Sequence, residues 1–531
     1  MRVGLLCRLV ALAAALLGGC ASLPPGSDFP RTASSALAHP EETRLGRQFG
    51  DAASEHGGNS GFRFIPVGAD GFLMRMQMIN AAERTLDLQY FIFKGDETGR
   101  QLTFALMRAA DRGVRVRVLI DDGETGTGDE QIAALQAHRT IDIRIFNPFA
   151  YRGHSELHRA AEFALNKSRL DYRMHNKLLV VDNAIALIGG RNIGDQYFQI
   201  DPDSQFADDD MFSAGPITRQ MSSTFDEFWN NGLSIPIQAL NTAKPTRAAL
   251  SAHREELKDE DKQLKADGVD YVKRVATGEP FNGILAGRLP LVWAHAQLIA
   301  DSPDKKKVEA GEMVGRLMHR AVADAVTGVQ SELLMVTPYL IPGSEGMQMF
   351  HDLHQRGVRI RVLTSSLEAT TVLAAQAGYM RYREPLLNEG VELFEIRSLL
   401  GNTKGSGETA AISRYGNYSL HAKMFIFDRK RLFIGSMNFD QRSMHLNTEI
   451  GLIIDSPALA QQMAARFDAM VLPVNAYALS LRPRDAGSAP TLVWHTQEGK
   501  DPIDYTVEPA RTDKQRTEVR LLSLLPLDRE L

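Results

Sequence analysis

The pattern His-x-Lys-x4-Asp occurs twice in this chain, as His175-x-Lys177-x4-Asp182 and as His421-x-Lys423-x4-Asp428, 246 residues apart. In each copy a glycine follows the aspartate after six intervening residues, and an asparagine stands three positions further on: Gly189 and Asn192, then Gly435 and Asn438. A recurrence with identical internal spacing calls for a fold built from two copies of one unit, each carrying half of a site. The repeat extends outward. Arg112-Gly113-Val114-Arg115-Val116-Arg117-Val118-Leu119 returns 244 residues later as Arg356-Gly357-Val358-Arg359-Ile360-Arg361-Val362-Leu363. Both read as a helix stopped at glycine and followed by a strand.

The residue types suit one kind of chemistry. A phosphodiester repels nucleophiles and has a poor leaving group. One imidazole can attack phosphorus to form a phosphohistidine, and a second can protonate the departing oxygen. Lysine and asparagine side chains can stabilise the charge on the non-bridging oxygens. The motif segments read as strands: Leu178 to Val181 and Met424 to Phe427 are apolar runs that end at aspartate, each followed by a turn and a second apolar run. Histidine and lysine two apart on a strand share a face, so both can reach one phosphate. Further strands at Leu86 to Ile92 and Leu333 to Val336, and again at Ile141 to Phe146 and Val391 to Ile396, alternate with helical stretches. That alternation predicts an α/β sandwich with a largely parallel or mixed sheet, as two similar lobes related by a pseudo-two-fold with the active site between them.

The paired motifs resemble the phospholipase D superfamily signature, H-x-K-x4-D with a downstream G-S-x-N. The second copy matches fully at Gly435-Ser436-Met437-Asn438, whereas the first reads Gly189-Gly190-Arg191-Asn192 and places Gly190 where the hydroxyl belongs. The resemblance implies a catalytic set of His175, Lys177, Asp182, His421, Lys423 and Asp428. Within it the two aspartates are expected to brace nearby backbone. It implies phosphate binding by Asn192, Asn438 and Ser436, and histidine-orienting carboxylates at Asp208 and Glu449. Leu88-Gln89-Tyr90-Phe91, Arg173-Met174-His175-Asn176-Lys177 and Leu446-Asn447-Thr448-Glu449 are similar to bacterial cardiolipin synthases, most of all to the cardiolipin synthase C group. That likeness implies transfer of a phosphatidyl group from a donor, phosphatidylethanolamine, to phosphatidylglycerol, with no cofactor or metal and no accessory protein specified. The alternative is a phospholipase D-type hydrolase of phospholipids; a nuclease is further off.

Arg2 and Arg8 mark a short basic region followed by an apolar stretch, Leu9 to Leu17, too short to span a bilayer but suited to a signal peptide. Leu17-Gly18-Gly19-Cys20 resembles a lipobox. It predicts residues 1–19 as a signal and Cys20 as a lipidation site, and so a membrane-anchored lipoprotein facing the periplasm, with the outer membrane as one location. Residues 20–60 read as a tether, 61–240 as the first lobe, 241–280 as a charged, exposed helical linker, 281–480 as the second lobe and 481–531 as a Pro-rich, irregular extension. The segment Val519 to Leu525 reads as a helix docked on the core, with a lipid interface as the other option. A net charge of −5 and a pI near 6.3 leave no basic footprint for nucleic acid. Asp209 and Asp210 beside Asp208 invite a metal site, but neighbouring acids on one strand or loop do not converge on one ion. Tyr90, Phe91 and Tyr339 are read as core, with an acyl groove as the alternative. His154, His158, His351 and His354 are read as solvent-facing.

Overall fold

The computed structural model describes residues 23–123, 134–153, 155–201, 204–240, 246–266, 278–399, 418–483 and 490–525. The signal stretch and Cys20 lie outside these residues, as does His154.

Each lobe is a mixed sheet whose central strands run parallel and whose motif hairpin runs antiparallel. In the first lobe Thr85–Tyr90, Arg115–Asp121 and Ile141–Phe146 are parallel neighbours. Leu178–Val181 pairs antiparallel beside Thr85–Tyr90, followed by Ile185–Gly189, Asp210–Ala214 and Ser60–Ile65. The second lobe repeats this order with Glu332–Val336, Arg359–Ser365 and Glu392–Ile396 in parallel, then Met424–Phe427, Arg431–Gly435, Ile450–Asp455 and Val292–Ala300. Ser60–Ile65 pairs antiparallel with Val292–Ala300, joining the two sheets edge to edge. This is the expected two-lobed α/β architecture.

Both faces of the motif strands Leu178–Val181 and Met424–Phe427 are covered, which explains their unbroken apolar runs. One shared core lies between the lobes. It packs the helices Ile217–Trp229 and Pro457–Met470 through Phe225, Trp229, Met463 and Phe467 against Leu178, Val180, Ile426 and Leu452. Separate outer cores sit under the remaining helices of each lobe. The repeated Arg-Gly signal marks true helix ends: Gly113 and Gly357 have φ of 93° and 74°, conformations that favour glycine.

Three boundary expectations need correction. The tether contains a packed helix, Arg44–Glu55, whose Leu45, Phe49 and Ala53 are buried at a four-residue spacing, and residues 60–65 are a strand. The linker helix Arg247–Ala266 is docked, not free-standing. Leu250 and Leu257 enter the first lobe's core, and Arg254 and Glu256 pair with Asp111 and Arg100 at 2.9 and 3.2 Å. The C-terminal extension is regular. Ala476–Arg482, Thr491–Glu498 and Asp501–Tyr505 continue the second lobe's sheet, and Trp494 is buried with its Nε1 donating to Glu395 at 2.9 Å. The final helix, Asp513–Leu522, is docked as expected, through Val519 against Leu367 and Ala377.

Candidate active site

The motif hairpins determine where the histidines stand. Leu178–Val181 and Ile185–Gly189 are joined through Asp182 and Asn183, with φ of 52° and 50°; Asp428 and Arg429 repeat this at 53° each. Asp182 accepts the backbone N–H groups of Glu83, Arg84 and Thr85 at 2.8–2.9 Å. Asp428 accepts those of Gln330, Ser331 and Glu332 at 2.7–3.2 Å. Each aspartate therefore fastens its hairpin to the neighbouring strand. Neither lines the cavity that holds the histidines, so their place in the catalytic set is corrected, and both brace backbone as expected.

At the other end of each hairpin, the two lobes exchange backbone. His175 N–H donates to the Thr448 carbonyl at 3.0 Å, and Thr448 N–H to the Arg173 carbonyl at 3.0 Å. Reciprocally, Gln205–Ala207 and Tyr418–Leu420 form a short parallel ladder, and His421 N–H donates to the Ala207 carbonyl at 2.8 Å. The exchange brings each carboxylate to the histidine of the opposite lobe. His175 Nδ1 lies 2.9 and 3.0 Å from the Glu449 oxygens, and His421 Nδ1 lies 2.5 Å from Asp208 Oδ2. A carboxylate on Nδ1 keeps that nitrogen protonated and leaves Nε2 as the basic one.

His175 and His421 line one cavity of about 500 Å³ together with Asn192 and Asn438. Its walls are aromatic. Phe91 meets His175 edge-on with ring centres 5.0 Å apart, and Tyr197 meets His421 likewise at 5.1 Å. Of the three aromatics read as core, Phe91 and Tyr339 line this cavity, while Tyr90 is buried and accepts from Arg75 Nε at 3.2 Å. Burial and the neighbouring ammonium groups of Lys177 and Lys423 hold His175 well below the usual histidine range. Burial and Lys423 bring His421 down to about 3. Burial lifts Glu449 to about 7 and draws Lys423 down to about 8. Asp208 is lowered; burial opposes its charge, but His421 more than offsets this.

Both lysines bond to the backbone of their own motifs. Lys177 Nζ donates to the His175 carbonyl at 2.5 Å and lies 5.4 Å from the Phe91 ring centre; Lys423 donates to the His421 carbonyl and stands 3.0 Å from His421 Nδ1. Asn192 accepts from Ile92 N–H at 3.1 Å and donates to the Tyr197 hydroxyl at 2.9 Å. Asn438 Oδ1 is buried without a hydrogen-bond partner in a wall of the cavity. The phosphate-binding expectation for Ser436 is corrected: its fully buried hydroxyl donates to Glu449 and accepts from Ile450 N–H at 3.0 Å.

The three consecutive acids diverge. Asp208 takes His421, Asp209 pairs with Arg466 at 2.9 Å, and Asp210 pairs with Arg75 and Arg191 at 2.8 and 3.0 Å. His158 stacks on Tyr151, and His351 pairs with Glu389 away from the cavity. Sequence reasoning missed Arg442, a cavity wall residue paired with Asp171 at 2.7 Å, although it lies just beyond the second motif. It also missed Lys305, hidden in a lysine run. Lys305 is fully buried, donating to Asp301 at 2.9 Å and to the Ser443 and Asn447 carbonyls at 2.8 Å, while Asp301 in turn accepts Glu449 N–H.

A family model described as "Cardiolipin synthase, PLD-like domain" matches residues 76–229 and 323–471, more than half of the chain. The chain belongs to this family. Cardiolipin synthase C of Escherichia coli (strain K12) is 34% identical over 481 residues, spanning 90% of this chain and 97% of its own length. The major cardiolipin synthase ClsA of Bacillus subtilis (strain 168) is 23% identical over 76% of this chain and 67% of its own. Among solved structures, the phosphatidylserine synthase of Haemophilus influenzae Rd KW20 covers 80% of this chain and 90% of its own at 14% identity, with a TM-score of 0.50, a likeness of fold. The protein is thus an enzyme of the phospholipase D-like cardiolipin synthase kind.

The departure at Gly190 has a steric cause in this family member. A Cβ there would lie 2.1 Å from Asp208 Oδ1, in the space the carboxylate occupies on its way to His421. Gly190→Ser, which makes the two motifs alike in sequence, is therefore expected to displace Asp208 and lower kcat by roughly 100-fold, the scale of losing a residue that orients a catalytic group. Unchanged kcat in steady-state assays would contradict this.

Proposed function

We propose that the enzyme transfers a phosphatidyl group from phosphatidylethanolamine to phosphatidylglycerol, forming cardiolipin and releasing ethanolamine, through a phosphohistidine on His175. The observation that carries this reading is the shared cavity, where two imidazoles from different lobes are each tied at Nδ1 to a carboxylate from the other. His175 Nε2 attacks phosphorus, the P–O bond to ethanolamine breaks, and His421 gives its proton to the departing oxygen. A phosphatidylglycerol hydroxyl then loses its proton to His421 and attacks the same phosphorus, and the P–N bond breaks to free His175. Burial keeps His175 neutral and therefore nucleophilic. His421 must be charged to act as the acid, and an arriving phosphodiester anion offsets the lysine repulsion that holds it low. Lys177, Lys423, Asn192 and Asn438 stabilise the phosphoryl oxygens in this scheme.

The test uses headgroup- and acyl-labelled lipids. Labelled phosphatidylethanolamine and phosphatidylglycerol are supplied separately and mixed. Label in cardiolipin only from the mixture supports the reading. Cardiolipin from phosphatidylglycerol alone removes the ethanolamine donor, and phosphatidic acid as the product replaces transfer by hydrolysis.

Lys423 gives a pH signature. With its pKa drawn down to about 8, the ammonium is charged below that pH and loses its proton above it, so kcat/KM should fall as pH rises past about 8. Lys423→Arg, whose charge persists, should retain a lower activity but move this limb to higher pH. A wild-type limb that stays put in that variant would assign it to another group.

The N-terminal pattern supports a lipoprotein anchored through Cys20 and facing the periplasm. Cys20→Ser should then abolish incorporation of labelled fatty acid into the protein, and retained label would remove the anchor.

A further inference from the structure

Surface helices normally turn their apolar stripe inward; the helix Glu156–Leu165 does the reverse. Leu157, Ala160, Ala161, Ala164 and Leu165 follow the i, i+3, i+4, i+7, i+8 spacing of one helical face, and all are exposed, Leu157 by 79% and Leu165 by 85%. No residue of this helix is buried. Its polar face ties it to the first lobe. Arg159 donates to the Asp122 carbonyl at 2.8 Å and lies over the Phe149 ring, while Glu162 accepts the N–H groups of Ala150 and Tyr151 at 2.7 and 2.8 Å. Ser155 caps the first turn.

The helix stands on the rim of the cleft. Asp122 follows Asp121, whose carboxylate accepts Met174 N–H at 2.8 Å, directly before His175. The chain then runs through Lys167–Leu170 to Asp171, the partner of Arg442 in the cavity wall. Positive charge gathers beside Leu165: Lys167 is two residues on, and Lys306 of the second lobe donates to the Ser168 carbonyl. This local charge contrasts with the chain's net −5.

We propose that Glu156–Leu165 is an interfacial docking helix, whose apolar face enters the headgroup–acyl boundary of a phospholipid bilayer and sets the cleft against the leaflet that supplies substrate. This rests on the phospholipid-substrate reading above. An exposed apolar face with lysines at one end matches an anionic membrane surface. A face only 10 residues long falls short of the roughly 800 Å² per partner that a stable dimer buries, which disfavours a second copy of the chain.

The test places Leu157→Trp in the full chain and adds vesicles of phosphatidylethanolamine and phosphatidylglycerol. Relative to wild type, the added tryptophan should shift to the blue and be quenched by brominated acyl chains. Val314→Trp, at a fully exposed second-lobe site, should not. The double variant Leu157→Glu, Leu165→Glu, which touches no core residue, should turn over vesicle substrate about tenfold more slowly, the effect of losing a modest apolar insertion. It should keep its wild-type rate on a monomeric short-chain phospholipid. An unquenched tryptophan, or equal turnover of vesicles by the double variant and wild type, overturns the proposal. So does shielding that needs no vesicles and grows with protein concentration, which assigns the face to a second copy. If wild type acts on no phospholipid, the substrate reading fails, while quenching still decides whether the helix docks.

Discussion

His175→Ala should lower the rate of phosphatidyl transfer by about four orders of magnitude or more while leaving the fold intact, because the proposed covalent route runs through this residue. The side chain is nearly buried, but its backbone N–H to Thr448 survives the substitution, so the lobes stay joined at this point. His421→Ala is expected to fall short of that loss for substrates with an acidic leaving group, since its task is proton transfer to the departing oxygen. Quenched-flow assays with labelled donor provide the check. The phosphoenzyme should form in wild type and be missing from His175→Ala. A phosphoenzyme that persists in that variant would move the nucleophile elsewhere.

Asp210→Ala should cost about 3–5 kcal/mol of folding free energy, the scale for removing one partner of a buried charge network. Asp210 is fully buried, and two guanidinium groups, Arg75 and Arg191, depend on it; all three side chains are exposed by 2% or less. Without the carboxylate, both buried guanidinium groups lose the counter-charge they pair with directly. The damage should reach the site as well, because Arg191 also donates to the Asp208 carbonyl and Asp208 holds His421. Removing Asp455 offers the contrast. It pairs with Arg431 at 2.7 Å on the surface, where solvent screening limits such a pair to roughly 1 kcal/mol or less. Denaturant titrations of the two variants compare them directly, and similar midpoints would contradict the buried-network account.

Parts of the fold were legible because their signals are local. The motif strands announce themselves as apolar runs closed by aspartate, and those aspartates act on backbone a few residues from the neighbouring strand's start. The tether helix was missed because small and polar residues mask Leu45, Phe49 and Ala53, although their spacing is helical. The C-terminal strands were missed because prolines at 483 and 490 dominate the composition while Val493 and Trp494 supply the burial. Lys305 stands in a run of three lysines, with nothing local to set it apart. Its environment comes from Ser443 and Asn447, about 140 residues away, which no reading of its own neighbourhood contains.

The sequence by itself determined that the protein is a doubled phospholipase D-like unit, and its resemblance to that superfamily put forward His175 and His421 as the reactive pair and Asp208 and Glu449 as their carboxylates. The doubling was legible because one spacing recurs, and spacing along a strand decides which side chains share a face. Only the tertiary structure decided the pairing. Glu449 serves the histidine of the first lobe and Asp208 that of the second, because backbone ladders at Thr448 and Ala207 carry each segment across the interface. Spacing within a lobe carries no information about a bond made between lobes, and that bond sets which ring nitrogen carries the proton.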